Sequence, residues 1–262
     1  MGLGVKRKIS SWMRSVRERK RRLVKWLNPH LEFIFKGKKV TDFKAVPIVI
    51  NNFNRLAMMR RLIDSLTSRG YNNIYIIDNG SDYPPLLEWY KSCGYPVFFL
   101  NRNVGHLAVW ETGIYKQFTD SFFVYTDSDV EICEDCPDDF MEKFINLLQK
   151  HPSALKAGFS LRIDDLPACF DKREEVVSWE GQFWKKKIED DAYDALIDTT
   201  FAVYKPFFKG EYIDPTCLCI RTAPPYSSRH LPWYVDSACK SEEEKYYLSK
   251  IKTDTHWSQQ AK

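Results

Sequence analysis

From residue 46 onward, short apolar runs alternate with longer segments in which apolar residues recur every three or four positions. The short runs are typical of buried strands, and the wider spacing is typical of amphipathic helices. Strands that alternate with helices predict an α/β fold with a mostly parallel, doubly wound sheet and helices on both faces. The four predicted strands cover residues 46–50, 74–77, 97–100 and 122–126.

The helix predicted between the first two strands shows the pattern most clearly. Gly70 follows it, where a C-terminal cap is expected. Its apolar face consists of Leu56, Met59, Leu62, Ile63 and Leu66. Beyond residue 129 we predict a helix over residues 138–150, a strand near 155–160 and a charged segment from Ser241 that is a peripheral helix or a tail.

A second helical stripe runs from Ile9 to Leu27 and is surrounded by arginine and lysine. Residues 1–40 hold thirteen Lys or Arg and two acids, a net charge of +11, so the rest of a chain of net charge +4 carries −7. A basic helix with Trp and Leu on its apolar side can lie in the headgroup region of an anionic membrane, or can dock on the protein body. The charge predicts an anionic partner for this arm, and we favour a membrane surface over nucleic acid.

Length and composition narrow the class of protein. A chain of 262 residues, 44% of them hydrophobic, is long enough for one α/β domain with a single core. The sequence has no secretory signal and no apolar stretch of transmembrane length, and its seven cysteines lack the regular spacing of a disulfide framework. We therefore expect a cytoplasmic protein, free or peripherally bound to the inner face of a membrane.

Polar residues follow each of the four predicted strands. They occupy residues 51–55, 78–82, 101–105 and 127–129. Right-handed crossovers place the carboxyl ends of such strands along one edge of the sheet, where ligands of open α/β sheets bind. The sequence therefore predicts a ligand site at this edge.

Asp127 and Asp129 come directly after the apolar run of the fourth strand. Two carboxylates this close repel each other unless a cation is present, and carboxylate oxygens select Mg²⁺ or Mn²⁺. A divalent ion with few protein ligands keeps positions open for substrate phosphates. The alternative is a solvated acidic turn, but the position after the fourth strand favours a metal site.

Asp78 stands at the end of the second strand, after the run IYII. A carboxylate at this place can accept hydrogen bonds from a ribose hydroxyl or from a base N–H. The following Asn79, Gly80 and Ser81 are turn residues, so an Asx-turn is the alternative. We favour the ligand role.

Four segments together resemble a known family. VPIVINNFNR, IYIIDNGSD, NRNVGH and FVYTDSDVEI, in this order, are similar to the four successive signatures of family 2 glycosyltransferases with a GT-A fold. The resemblance covers about residues 45 to 135. It implies a UDP- or GDP-sugar donor, Mn²⁺ or Mg²⁺ as cofactor, a saccharide or lipid-linked acceptor, and inversion at the anomeric carbon.

The same resemblance implies roles for individual residues. Asn52 and Asp78 match positions that lie against the nucleotide base, and Asp127 and Asp129 match positions that serve the ribose and the metal-bound diphosphate. Weaker matches that we also assign to the nucleotide are Arg55, Arg102 and Asn103.

The second half of the chain lacks a clean Glu-Asp pair where the family places its acceptor-activating base. Asp198 lies between apolar runs, which predicts partial burial and a raised pKa suited to a general base. Glu180 and Asp236 are the reserve candidates. His230 is a candidate third metal ligand, by similarity to other GT-A enzymes, although a single histidine is often structural.

Three further residues of the second half are candidates for the diphosphate or the acceptor. Arg221 and Arg229 can clamp a diphosphate, although they can equally be surface arginines. Trp233 can offer a ring face to an acceptor sugar, although core packing explains it as well.

We divide the chain into a basic amphipathic arm (1–43), a catalytic domain (44–240) and a charged C-terminal tail (241–262). Within the catalytic domain, residues 44–135 form the nucleotide-binding half and residues 136–240 the acceptor half. The nearest alternative is a sugar nucleotidyltransferase, which typically carries a Gly-rich loop where this chain has NNFNR. A second alternative is a non-catalytic protein that binds membrane or nucleic acid through its basic arm.

Overall fold

The computed structural model describes residues 16–20, 40–206 and 218–251. Residues 16–20 are helical and exposed. Residues 1–15 and 21–39 of the predicted basic arm lie outside the described residues. Within the described ranges, no helix combines the length and the apolar character that crossing a bilayer requires.

Twelve strands form two sheets in the described part of the chain. They are β1 (Ile48–Asn52), β2 (Ile74–Asp78), β3 (Val97–Phe99), β4 (Phe123–Asp127), β5 (Val130–Ile132), β6 (Ala154–Gly158), β7 (Ser160–Leu161), β8 (Lys187–Glu189), β9 (Ala192–Asp194), β10 (Ala202–Tyr204), β11 (Leu218–Thr222) and β12 (Ser227–His230). The large sheet has the order β3-β2-β1-β4-β10-β6-β11-β9-β8, and the small sheet has the order β5-β12-β7.

The first four strands of the large sheet are parallel, as the alternation of strands and helices predicted. β1 pairs in parallel with both β2 and β4, and β2 pairs in parallel with β3. The predicted positions of these strands are confirmed to within two residues. The other half is mixed, because β10 runs antiparallel to both β4 and β6.

Helices cover both faces of the large sheet, as predicted. Between residues 40 and 251 the described α-helices are α1 (Ala57–Thr67), α2 (Pro84–Tyr90), α3 (Ala108–Glu111), α4 (Phe140–Lys150), α5 (Arg173–Gly181) and α6 (Glu242–Lys250). Since successive strand residues point to opposite faces, Ile48 and Ile50 pack with α1, α2 and α4, whereas Val49 packs with α3 on the other side. The two apolar layers hold the strand ends of β1, β2 and β4 in register.

The small sheet brings the far end of the chain next to the end of β4. β12 runs antiparallel to β5, and His230 is opposite Val130 in this pairing. The backbone N–H of Leu231 donates a hydrogen bond to the carbonyl oxygen of Asp129 at 2.8 Å. His230 is therefore fixed beside the acidic segment that follows β4.

The last described element, α6, packs on the loops that follow β1 and β2. Glu243 accepts a hydrogen bond from the backbone N–H of Ala57 at 3.0 Å, at the start of α1. Tyr246 donates one to the carbonyl oxygen of Asp82 at 3.1 Å. The sequence predicted a peripheral helix or a tail for this segment; the structure has a helix, which packs at the carboxyl-terminal edge of the sheet.

Candidate active site

The ends of β1, β2 and β4 form one row of polar residues. In the sheet register, Asn52 is paired with Asp78 and Asn51 is paired with Asp127. Asn51, Asn52 and Asp78 are buried, with 8% or less of each residue exposed. The structure thus brings together three strand ends that the sequence predicted to meet.

Asp78 and Asn52 share one partner, Tyr90 of α2. The Tyr90 hydroxyl accepts a hydrogen bond from Asn52 Nδ2 at 2.9 Å and donates one to Asp78 Oδ1 at 3.2 Å. The backbone N–H of Ser81 donates to Asp78 Oδ2 at 3.1 Å, so the turn contact that the sequence offered as an alternative is present. Burial raises the pKa of Asp78.

Two buried acceptors in this row have no hydrogen-bond partner in the described part of the protein. They are the Oδ1 atoms of Asn51 and Asn52. A buried acceptor without a partner is destabilising, because it has lost its bonds to water. A ligand that carries N–H or O–H groups would satisfy these oxygens.

The loop after β3 is tied to the end of β2. Asn79 accepts a hydrogen bond from the backbone N–H of Val104 and donates one to the carbonyl oxygen of Gly105, each at 2.8 Å. A Cβ atom at Gly80, where φ is +76°, would lie 2.6 Å from the carbonyl carbon of Arg102. Arg102 and Asn103, which the sequence assigned to the nucleotide, are exposed in this loop at the rim of the polar row.

Asp127 is held at the end of β4 by Thr199. The Thr199 hydroxyl donates to Asp127 Oδ2, and the Thr199 carbonyl accepts from the backbone N–H of Asp127 at 2.8 Å. Burial and the nearby charge of Asp129 raise the pKa of Asp127 well above its usual range. The carboxylate pair is thus destabilised by its own repulsion, which a bound cation would relieve.

Asp129 and His230, two of the predicted metal ligands, face each other. Asp129 Oδ1 lies 3.7 Å from His230 Nε2. Burial lowers the pKa of His230, which favours the neutral imidazole that a metal binds. No group of three or more His, Cys, Asp or Glu side chains that could hold a metal occurs within the described ranges. These donors therefore fit Mn²⁺ or Mg²⁺ only with substrate oxygens or water completing the shell.

Arg55 is buried beside Asp129 and does not extend to the open edge. Its Nη1 lies 3.5 Å from Asp129 Oδ2, and its Nη2 lies 3.2 Å from Glu244 Oε1 of α6. The ring of Tyr247, also on α6, packs over the guanidinium at 3.8 Å. The guanidinium predicted for the nucleotide is thus shared between two carboxylates of the protein.

Asp198 lies next to the residue that holds Asp127, but it is exposed. The expectation of partial burial from its apolar flanks is wrong, because side chains along this segment alternate: Ile197 and Thr199 are buried, whereas Leu196 is 51% exposed. The Asp198 carboxylate accepts a hydrogen bond from the Thr199 backbone N–H at 2.9 Å. It stands at the surface beside the acidic pair.

A buried lysine supports the Asp198 backbone. Lys156 Nζ donates to the carbonyl oxygen of Asp198 at 3.0 Å and to the Tyr204 hydroxyl at 3.1 Å. Burial lowers the pKa of Lys156 to about 8. Sequence reasoning missed this lysine, since a charged residue in the middle of β6 carries no sign of where its ammonium group points.

Glu180 and Arg221 form a buried ion pair with each other. Arg221 Nη1 lies 2.6 Å from Glu180 Oε2, and each residue is 3% exposed. Burial raises the pKa of Glu180, an effect that Arg221 opposes. Arg221 is therefore engaged inside the protein, and Glu180 is not free to accept a proton from an acceptor hydroxyl.

Arg229 points away from the acidic pair. Neighbouring residues on a strand face opposite sides, so Arg229 lies opposite to His230. Its guanidinium is held by Glu134 at 2.7 Å and Asp165 at 2.8 Å.

The two remaining candidates of the second half are Trp233, predicted to contact the acceptor, and Asp236, a reserve for the general base. Trp233 is 3% exposed and packs edge-to-face on His230, with ring centroids 4.7 Å apart, so it belongs to the core and offers no open ring face to an acceptor. Asp236 is exposed, and its carboxylate accepts a hydrogen bond from the backbone N–H of Ala238 at 2.8 Å.

Comparisons with known proteins agree with the signatures in the first half of the chain. A family model described as "Glycosyl transferase family 2" matches residues 48–208, more than half of the chain. A comparison with the curated proteins finds no match.

Several solved structures are similar over parts of their length. GalNAc-T7 with UDP, GalNAc and Mn²⁺ is 18% identical with a TM-score of 0.35, over 45% of this chain and 23% of that chain. Glucosyl-3-phosphoglycerate synthase from Mycobacterium tuberculosis, with phosphoglyceric acid, is 14% identical with a TM-score of 0.39, over 64% of this chain and 61% of that chain. CMP:2-keto-3-deoxy-manno-octonic acid synthetase with CTP is 10% identical with a TM-score of 0.36, over 77% of this chain and 81% of that chain. This chain thus spans less than two thirds of the length of the first two proteins. All three TM-scores are below 0.5, so these structures say nothing about the residues of its site.

Proposed function

This chain belongs to glycosyl transferase family 2, and from that membership we propose that it transfers a sugar from a nucleotide-sugar donor to an acceptor hydroxyl with the help of a divalent cation. The observation that carries the proposal is the acidic pair Asp127 and Asp129, at the carboxyl end of β4, with the His230 imidazole 3.7 Å from Asp129. Acids at this edge of a parallel sheet suit a ligand that brings phosphates and a cation.

Asp129 and His230 would hold Mn²⁺ or Mg²⁺ in this proposal. The cation, when bound, would neutralise the charge that develops on the departing diphosphate. Asp127, fixed by Thr199, lies beside this position and would meet the ribose.

The nucleoside would occupy the row formed by the ends of β1 and β2. The free Oδ1 atoms of Asn51 and Asn52 would accept hydrogen bonds from the base or the ribose. Asp78 would do so through the lone pairs that Tyr90 and Ser81 leave open. UDP and GDP both carry suitable N–H and O–H groups, so the base is a matter for experiment.

Asp198 would act as the general base. Asp198 precedes Thr199, which contacts Asp127, so its carboxylate is close to the acidic pair. Because this carboxylate is exposed, an acceptor hydroxyl can approach it from the solvent side. The acceptor oxygen would form a bond to the anomeric carbon as the bond from that carbon to the diphosphate oxygen breaks, and the hydroxyl proton would pass to Asp198. A single displacement of this kind inverts the anomeric configuration.

A thermal-shift measurement with nucleoside diphosphates tests the proposal. UDP or GDP is expected to raise the melting temperature only when Mn²⁺ is present. At about 100 times the Kd, a ligand that binds the folded state stabilises it by about 2.7 kcal/mol, about 5 °C or more for a chain of this size.

Two controls belong to the same measurement. Mn²⁺ alone separates a general effect of the metal from binding of the nucleotide, and uridine and guanosine test whether the phosphates are needed. A melting temperature that no nucleoside diphosphate changes, with or without Mn²⁺, would contradict the proposal.

A further inference from the structure

Arg55 places a protein cation at the carboxylate that the proposed function assigns to a metal. Its guanidinium is buried between Asp129 Oδ2 at 3.5 Å and Glu244 Oε1 at 3.2 Å. Tyr247 covers the guanidinium plane at 3.8 Å and restricts its movement. The side chain therefore has two acidic partners, one from the metal site and one from the C-terminal helix.

A guanidinium and a divalent cation compete for the same carboxylate. Two positive charges that share one carboxylate repel each other, and the repulsion grows as they approach. An arginine that paired fully with Asp129 would therefore weaken binding of the metal. In the structure the guanidinium is shared: Nη2 contacts Glu244 Oε1 at 3.2 Å, and Nη1 lies 3.5 Å from Asp129 Oδ2.

Glu244 is held in place by the way α6 docks. Ser241 caps the helix, and its side chain accepts a hydrogen bond from the Glu244 backbone N–H at 3.1 Å. Glu243 binds the start of α1, and Lys250 pairs with Asp82 in the loop after β2. These contacts at both ends of the helix fix the Glu244 carboxylate, which is buried, over Arg55.

We propose that Glu244 is a positioning residue, which keeps Arg55 partly off Asp129 and so leaves Asp129 able to bind the divalent cation. The inference rests on the proposed function, because that proposal puts the cation at Asp129. It assigns α6 a part in the active site, although its residues follow the family match at residues 48–208.

The affinity of the full chain for Mn²⁺, measured by calorimetry without a sugar donor, tests this role. Glu244→Gln is expected to weaken Mn²⁺ binding about fivefold, because the full charge of Arg55 then falls on Asp129. Glu242→Gln is the matched control. It removes the same charge from the same turn of the helix, where the exposed side chain pairs with Lys245 and not with Arg55. We expect its affinity to stay within about twofold of the wild type.

A double variant separates the role of Arg55 from a loss of folding. Arg55→Met with Glu244→Gln removes the competing cation as well, so Mn²⁺ affinity is expected to return to the wild-type value or exceed it. If Glu244→Gln does not fold, Arg55→Met alone decides, since it should bind Mn²⁺ more tightly than the wild type. Unchanged affinity in Glu244→Gln, or no recovery in the double variant, would overturn this inference alone. A wild-type chain that binds no Mn²⁺, alone or with UDP, would overturn the proposed function with it.

Discussion

Asp129→Ala is expected to lower sugar transfer by roughly 10³-fold and to remove the Mn²⁺-dependent part of the affinity for nucleoside diphosphate. Asp129 is the acid that faces His230, and it lies beside Asp127, whose pKa is raised by burial and by the charge of Asp129. Without it, the cation loses a charged ligand and the departing diphosphate loses the neutralising charge. Calorimetric titration of UDP and GDP, with and without Mn²⁺, measures the binding part of this effect.

Asp164→Ala is the control for Asp129→Ala. Asp164 is largely exposed and pairs only weakly with Arg162, at 3.6 Å. Its loss removes one carboxylate from the chain without touching the acidic pair, so transfer and Mn²⁺-dependent binding should stay close to those of the wild type. Equal nucleotide affinity with and without Mn²⁺ in both the wild type and Asp129→Ala would show that the pair holds no metal.

Asp198→Asn is expected to lower kcat by roughly 10²-fold, while the affinity for the donor stays close to normal. The amide keeps the shape of the side chain and its hydrogen bond to the Thr199 backbone, but it cannot take the proton of the acceptor hydroxyl. Donor affinity should be spared because Asp198 is exposed beside the row of strand-end residues and not part of it. Steady-state kinetics with varied donor separate the two effects.

The reserve bases supply the comparison for Asp198→Asn. Asp236→Asn should have little effect, whereas Glu180→Gln should mainly change stability, because it breaks a buried ion pair with Arg221. Near-normal turnover in Asp198→Asn would move the role of the base to another carboxylate. A retained anomeric configuration in the product, seen by NMR, would exclude the single displacement.

The parallel half of the sheet was readable from the sequence because its signals are local. Each of the first four strands is a short apolar run followed by polar residues, and the right-handed crossover rule then places Asn52, Asp78 and Asp127 at one edge. The structure confirms this row, down to the pairing of Asn52 with Asp78. The antiparallel strand β10 could not be predicted in the same way, because its three residues carry no sign of which neighbours they join.

The second half of the site depends on contacts between distant residues. Arg55 and Glu244 are 189 positions apart, and Thr199 reaches Asp127 across 72 positions. The sequence SEEEK at residue 241 predicts a helix start through its capping residue, but it does not indicate what the helix covers. Likewise, nothing near Arg221 or Arg229 in the sequence reveals the acids that bind them in the fold.

If the chain cleaves nucleotide sugars at the anomeric carbon, the phosphorus-containing product must be a nucleoside diphosphate. Purified protein with Mn²⁺ and a UDP- or GDP-sugar, with water or a sugar hydroxyl as acceptor, can be followed by ³¹P NMR. We expect release of the nucleoside diphosphate by the wild type and its loss in Asp129→Ala. Release of pyrophosphate from a nucleoside triphosphate and a sugar 1-phosphate, with no nucleoside diphosphate formed from any nucleotide sugar, would contradict it and would identify a nucleotidyltransferase instead.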